Sequence, residues 1–354
     1  MDTKGFEMTR TTPPRPVDIA AVFPELAPLA RTTTRLHPRQ GKPTPQDSSV
    51  GGPLLWPIDE PWPYCDGRQH ASGYTSLTTL ADVRLLREML AIAWDHPGPP
   101  GAILSDEERT LVRALQKGRH SQTDEPIAMI PVAQLYARDI PDLHPPEGCD
   151  LLQVLWCPFD HFDPMPKAKL VWRSSSSVTT VLSEPPQPIV VQSEYYIPEP
   201  CVIHPEQVIE YPAPLELDEV LRERIEAWSE REKAGAEAGS AYDQAESAYY
   251  QNELSVAPGW KVGGWAPWSF RDPYPMICTV CGAEMKPLLT ISSDEWDLGS
   301  GSWIPIEDQA LDANPTPYPR TPWLPTLIKI GRAYHMQIYI CPTSVDHPHA
   351  ELVQ

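Results

Sequence analysis

Positive charge, long apolar runs and catalytic signatures are what this sequence has least of. Its 354 residues carry 28 Lys+Arg against 48 Asp+Glu, a formal net charge of -20. A surface of that sign repels phosphate backbones, and no local basic patch stands out along the chain, so direct nucleic-acid binding is not expected. No segment approaches the about 18 consecutive apolar residues that span a bilayer. Met1 to Ala30 also lacks an apolar run of signal-peptide type. The expectation is a cytoplasmic protein without a membrane partner, its thiols reduced and available for metal. Missing too are a phosphate-binding Gly-rich loop, His-Glu-x-x-His, Gly-x-Ser-x-Gly and a dinucleotide fingerprint. No catalytic residue is assigned, and the reading leans away from an enzyme.

Proline is abundant: 44 residues, more than double the usual frequency of about 5%. Because proline fixes φ and removes a donor, short strands, many ordered loops and few long helices are expected. Leu80, Val83, Leu86, Leu90 and Trp94 make one apolar stripe on a helix over Thr78–Trp94. Ser105 with Glu108 at the capping-box position opens a second helix, which stops at Gly118. Leu217, Leu221, Ile225 and Trp228 line a third over Leu217–Glu232. The Ala/Gly/Glu/Ser tract Ala234–Tyr250 reads as linker or frayed helix. Strands are expected at Ile130–Ala137, Leu151–Trp156, Leu170–Trp172, Ile189–Val191, Leu288–Ile291 and Met336–Ile340. The Pro/Thr/Arg-rich start, with an apolar island at Ile19–Leu29, reads as a disordered tip followed by a loosely packed arm.

The most informative feature is an internal repeat. Gly51-Gly52-Pro53-Leu54-Leu55-Trp56 has the Gly-Gly-x-x-x-Trp spacing of Gly263-Gly264-Trp265-Ala266-Pro267-Trp268. Each runs through an acidic-Pro-aromatic-Pro step into a cysteine, Cys65 or Cys278, and one inserted residue separates the two spacings. Met129-Ile130-Pro131-Val132-Ala133-Gln134-Leu135 matches Met285-Lys286-Pro287-Leu288-Leu289-Thr290-Ile291. Gln153-Val154-Leu155-Trp156-Cys157-Pro158 matches Gln337-Ile338-Tyr339-Ile340-Cys341-Pro342. Each unit should turn at Gly-Gly where a Cβ cannot fit, bury a Trp, and cross two strands that end at a Cys-Pro corner. The fold class that follows is α+β, with two similar β-rich halves and helical insertions. Residues 1–47 form the arm, 48–212 the first unit, 213–252 an acidic helix and linker, and 253–354 the second unit.

Of the seven Cys, Cys278-Thr279-Val280-Cys281-Gly282 forms a Cys-x-x-Cys knuckle, whose spacing lets two thiolates face one ion. Cys341 at the second strand end, with His347 or His349 close behind, completes a tetrahedral Cys3His set for a structural zinc. The competing reading is a pair of buried reduced thiols. In the first unit Cys65, His70, Cys157 and His161 mirror parts of this set without the second knuckle cysteine, and an apolar-packed copy without metal is expected. Cys149 and Cys201 read as core residues. Asp160, His161 and Asp163 form an acid/base triplet of low specificity, and Gly299–Ser302 and Ser174–Ser177 read as loops. Trp56, Trp62, Trp265, Trp268, Trp296, Trp303 and Trp323 would line a peptide-binding groove if some were exposed.

These words resemble the YwqG-like family of bacterial proteins, in its actinobacterial branch, and more distantly the programmed cell death protein 2 group. The likeness covers roughly residues 48–349 with gaps, and rests on the Gly-Gly-x-x-x-Trp, Met-x-Pro-apolar and Gln-x-x-x-Cys-Pro words and the Cys278/Cys281 pair. It implies a duplicated α+β fold. It also implies a role in holding another protein, as in ribosome assembly for the eukaryotic branch, or in immunity or interaction for bacterial members. The incomplete first knuckle and the long Pro-rich loops depart from that pattern, and no catalytic residues carry over. The function expected is a non-enzymatic, zinc-stabilised module that holds a basic protein partner. The alternative is a metal-dependent enzyme or RNA-processing factor built on the Cys157/His161 corner.

Overall fold

The computed structural model describes residues 9–66, 70, 77–95, 104–116, 125–161, 165–235, 249–268, 271–297, 299–312 and 321–354. Its strands are β1 (Arg31–Arg35), β2 (Arg39–Gln40), β3 (Ser49–Val50), β4 (Tyr64–Cys65), β5 (Ile127–Ala128), β6 (Ile130–Tyr136) and β7 (Leu151–Asp160). They continue as β8 (Pro166–Arg173), β9 (Cys201–Val202), β10 (Glu206–Glu210), β11 (Lys261–Gly263), β12 (Lys286–Ser292), β13 (His335–Ile340) and β14 (Ala350–Val353). One sheet has the order β2-β9-β3-β6-β7-β8, a second has β10-β1-β11-β12-β13-β14, and β4 pairs with β5. With helices set beside these antiparallel sheets, the chain is α+β.

Both sheets have six strands, and two local features recur in them. In each, a strand ending at Gly-Gly pairs with the Met-x-Pro strand: Ser49 opposite Gln134 in one, Lys261 opposite Thr290 in the other. In each, the register against the next strand slips just after the proline, between Pro131 and Ala133 or between Pro287 and Leu289. A proline cannot donate to the ladder, so a bulge at that point is the local consequence of the sequence. The crossing between halves concerns β1 and β10: both precede residue 213 yet join the second sheet, β1 lying between β10 and β11, while β9 stays in the first sheet between β2 and β3.

This exchange corrects the expectation of a loose N-terminal arm. Thr33, Thr34, Arg35, Leu36 and His37 are all buried, and β1 is paired on both edges, Arg35 opposite Glu206 and Lys261. Arg-Thr-Thr-Thr-Arg has no apolar alternation, so nothing local announces a strand. Its burial is made tolerable by partners distant in sequence: Thr33 Oγ1 donates to Val262 O at 2.9 Å, and Arg35 Nη1 donates to Trp303 O at 3.0 Å. Arg10 and Thr12 are also tied down, to Asp308 and Glu206. Residues 1–8 lie outside the described residues.

Beside β1, Lys261 and Glu210 form a buried pair with Nζ 2.8 and 2.7 Å from the two carboxylate oxygens. Gly264, with φ +69, packs so close to it that an added Cβ would lie 2.8 Å from Glu210 Cδ and 2.8 Å from Thr33 Cβ. Glycine is needed there for both reasons.

One apolar core is shared between the sheets. Val50, Val132, Val154 and Trp156 of the first meet Val262, Leu289, Met336 and Ile338 of the second. Strand alternation then turns Leu155, Cys157 and Phe159 of β7, and Tyr339 of β13, to the opposite faces. These faces are covered by the Trp-bearing turns. Trp56, Trp62, Cys65 and Met129 cover Leu155 and Cys157. Trp268, Cys278 and Met285 cover Tyr339 and Cys341.

The helices fall close to the sequence reading. α1 (Ile19–Val22), α2 (Leu80–Asp95), α3 (Asp106–Gln116) and α4 (Glu219–Gly235) are the α-helices of use here. The capping box at Ser105 is formed, its amide donating to Glu108 Oε2 at 2.8 Å and its hydroxyl accepting from Glu108 N at 3.2 Å. Leu217, Leu221, Ile225 and Trp228 are buried against Ile19, Phe23 and Leu26. Gly118 and most of the Ala/Gly/Glu/Ser tract, residues 236–248, lie outside the described residues. The tract's end is well packed: Tyr250 is buried and its hydroxyl donates to Pro212 O at 2.9 Å. Ile189–Val191 is not a strand; Val191 makes only an isolated bridge to Thr78, because Pro188 and the neighbouring prolines interrupt any ladder. Among the described residues no helix is long and apolar enough to cross a membrane.

Candidate metal centres

Two groups of Cys and His side chains converge, one on the outer face of each sheet. In the second sheet the knuckle begins where Ile277 bridges Glu284. Cys278 N donates to Ala283 O and Gly282 N to Cys278 O, both at 2.9 Å, which folds the chain back on itself. Gly282 has φ +72 with open space around its Cα, so the backbone conformation, and not crowding, calls for glycine. Cys341 follows β13, the Thr343 amide points at its sulfur from 3.4 Å, and the turn after it returns His347.

The resulting distances are Cys278 Sγ to His347 Nδ1 3.4 Å, Cys341 Sγ to His347 Nδ1 3.3 Å, and Cys281 Sγ to Cys341 Sγ 3.4 Å. All four ligand atoms lie within 4.8 Å of one another. A tetrahedral zinc with bonds of about 2.3 Å to sulfur and about 2.0–2.1 Å to nitrogen has edges of about 3.5–3.8 Å, so a small outward relaxation seats the ion. Burial opposes the Cys341 thiolate, but the Ser344 and Thr343 amides, His347 and Cys281 outweigh it and bring its pKa down to about 5. A sulfur already disposed to ionise is what a metal requires. His349 is turned away, its Nε2 3.2 Å from Glu351 Oε1, so His347 is the histidine of the set.

The first sheet holds the counterpart. Cys65 stands in β4, opposite Ile127, and Cys157 lies in β7 just before its register slips against β8. His161 follows that strand, its amide donating to Met165 O at 3.1 Å. His70 stacks flat on Phe159, with centroids 4.4 Å apart. Its Nε2 is 3.5 Å from Cys65 Sγ and 3.1 Å from Cys157 Sγ, and His161 Nε2 is 3.8 Å from Cys65 Sγ. These four ligand atoms also lie within 4.8 Å of one another. Apolar packing was the expectation for this copy: Cys65 and Cys157 do lie in a buried apolar cluster, and the four ligand atoms converge within it at a spacing compatible with a metal. His70 stands in for the absent knuckle cysteine. The usable signal was a Cys-x4-His beside a Cys-x3-His, both within ordinary ligand spacing.

Other sequence candidates are placed elsewhere. Asp160 is held by the Tyr196 hydroxyl at 2.5 Å and by Gln192 Nε2 at 2.6 Å, which makes it a buried structural carboxylate, while Asp163 lies outside the described residues. Cys201 is buried, and burial pushes its thiol up. Gly301–Trp303 and Ser175–Ser177 are single 3-10 turns within loops. The tryptophan groove is not formed. Trp56, Trp62, Trp268, Trp296 and Trp303 are buried, Arg31 lies over Trp265 at 3.3 Å, and Trp323 is 37% exposed, its carbonyl accepting from Glu295 N at 2.8 Å. Trp56 and Trp268, which end the Gly-Gly turns, both pack in apolar clusters of the core. The chain matches no protein-family model and no curated protein.

Proposed function

We propose that the chain is a non-enzymatic protein-binding module, with a structural zinc held by Cys278, Cys281, Cys341 and His347. The observation that carries this reading is the closure of the set: protein atoms supply four ligands at tetrahedral spacing, the arrangement of structural sites, whereas catalytic sites keep one position for water. His70 supplies the same completion at Cys157/His161, which is the corner an enzyme would need open. The net charge of -20 supports a basic protein as partner. On this reading the protein works in the reducing cytoplasm.

The two halves are, in this proposal, descendants of one duplicated unit. Matching bulges after Pro131 and Pro287 support it, as do matching bonds from Met129 N to Pro63 O and from Met285 N to Met276 O. Kinship with the YwqG-like and programmed cell death protein 2 groups is part of the same proposal and rests on the shared words. Immobilised protein should retain basic proteins from lysate and release them with salt. Recovery of acidic proteins only, or of none, sinks the partner assignment. Cys278→Ser and Cys281→Ser should lose metal and melt well below Cys201→Ser, and equal melting of all three removes the zinc.

A further inference from the structure

We propose that Cys65, His70, Cys157 and His161 form a second zinc site, of Cys2His2 type, on the first sheet. Three independent features of the cluster point to it. The first is geometry: sulfur–nitrogen separations of 3.1, 3.5 and 3.8 Å bracket the edge of about 3.6 Å expected for a tetrahedral zinc with mixed ligands. The second is His161, an imidazole only 8% exposed. Its Nδ1 has no hydrogen-bond partner, and its Nε2 faces sulfur at 3.8 Å. An ion at Nε2 gives that nitrogen a strong partner in place of a sulfur contact at 3.8 Å, with the ring proton on Nδ1. The third is charge. Two thiolates and two neutral imidazoles balance a divalent cation, so the complex is neutral, as suits a place where Cys157 is 0% and Cys65 8% exposed. The Cys3His set leaves one net negative charge and has an exposed cysteine, Cys281, to set it against water.

The site also explains where the helical insertion is anchored. Chain leaves the sheet at Cys65, passes through α2 and α3, and returns at Ile127 opposite it. An ion joining Cys65 and His70 at the departure to Cys157 on β7 and His161 just after it fastens the departing end of that excursion to the sheet core, and the pairing of Ile127 with Cys65 ties the returning end to it.

The test is metal content of the full chain by native mass spectrometry after zinc-supplemented expression, followed by cobalt substitution. Wild type should carry two ions, His70→Ala one, and Cys281→Ser with Cys341→Ser one. His70→Cys should keep both. Thiolate-to-cobalt absorption scales with sulfur count, so the ion left in the Cys281/Cys341 double variant should absorb about two-thirds as strongly as the ion left in His70→Ala. His70→Cys should raise the first-sheet signal by about one half, and this variant retains a ligand if His70→Ala fails to fold. A wild-type chain with one ion that His70→Ala leaves in place overturns this inference and spares the Cys3His zinc. One ion that only His70→Ala removes does the reverse. No ion at all overturns both.

Discussion

Replacing Gly264 by alanine probes how tightly the strand exchange is locked. Two glycines with positive φ make the comparison: Gly264 at +69 and Gly148 at +80. Alanine in the left-handed region costs about 1–2 kcal/mol at either position. At Gly148 nothing lies within 4 Å of the new Cβ, so that is the whole effect. At Gly264 the methyl group displaces the Glu210 carboxylate, which accepts from Lys261 Nζ, from Ala257 N at 2.8 Å and from the Trp265 amide. Both side chains of the Lys261–Glu210 pair are 0% exposed, and breaking a buried pair costs about 3–5 kcal/mol. Gly264→Ala should therefore lose about 4–7 kcal/mol. With a urea slope of about 3 kcal/mol/M, the unfolding midpoint falls by more than about 1 M, against about 0.3–0.7 M for Gly148→Ala. Equal midpoints for the two variants would refute the idea that Glu210 is held in place by the absence of a side chain at Gly264.

Acid should weaken the fold through His335, whose pKa burial lowers to about 4 from an unfolded value of 6.5. Between those values the unfolded chain takes up the proton, so stability rises with pH across that window and is fully present above it; the loss at pH 5 relative to pH 8 is about 2 kcal/mol. His335→Gln should flatten the melting-temperature profile from pH 8 to 5, and an unchanged slope would show that another group carries it. Alkylation should strike Cys281 first among the cysteines, since it is exposed whereas Cys149 is half-buried and Cys65, Cys157, Cys201, Cys278 and Cys341 are buried. Mapping by mass spectrometry, with a colorimetric zinc reporter, should find one ion released as Cys281 reacts, and early labelling of Cys157 would contradict the burial order.

What could be read ahead of the structure followed from strong local signals. The stripe Leu217, Leu221, Ile225 and Trp228 has helical period and is buried as a face. The Met-x-Pro strands became β6 and β12, bulged beside their prolines. Cys278, Cys281, Cys341 and His347 met because the knuckle leads into β12 where Lys286 lies opposite Ile340, so knuckle and strand end share one end of the ladder. β1 and β10 escaped notice because Arg-Thr-Thr-Thr-Arg and Glu-Gln-Val-Ile-Glu keep charge at the strand ends, and that charge is neutralised only by residues far along the chain. His70 was legible as a neighbour of Cys65, but its approach to Cys157 was not, because the two are 87 residues apart in sequence.

The order of the words along the chain, their turn residues and the Cys-x-x-Cys spacing were determined by sequence alone, since glycine, proline and paired cysteines constrain the backbone within a few residues. Which histidine turns toward the sulfurs, and which sheet receives β1, were decided only by tertiary packing. Both outcomes depend on free energies that no local segment contains: a buried carboxylate finding Lys261, and an imidazole finding its place between two thiols.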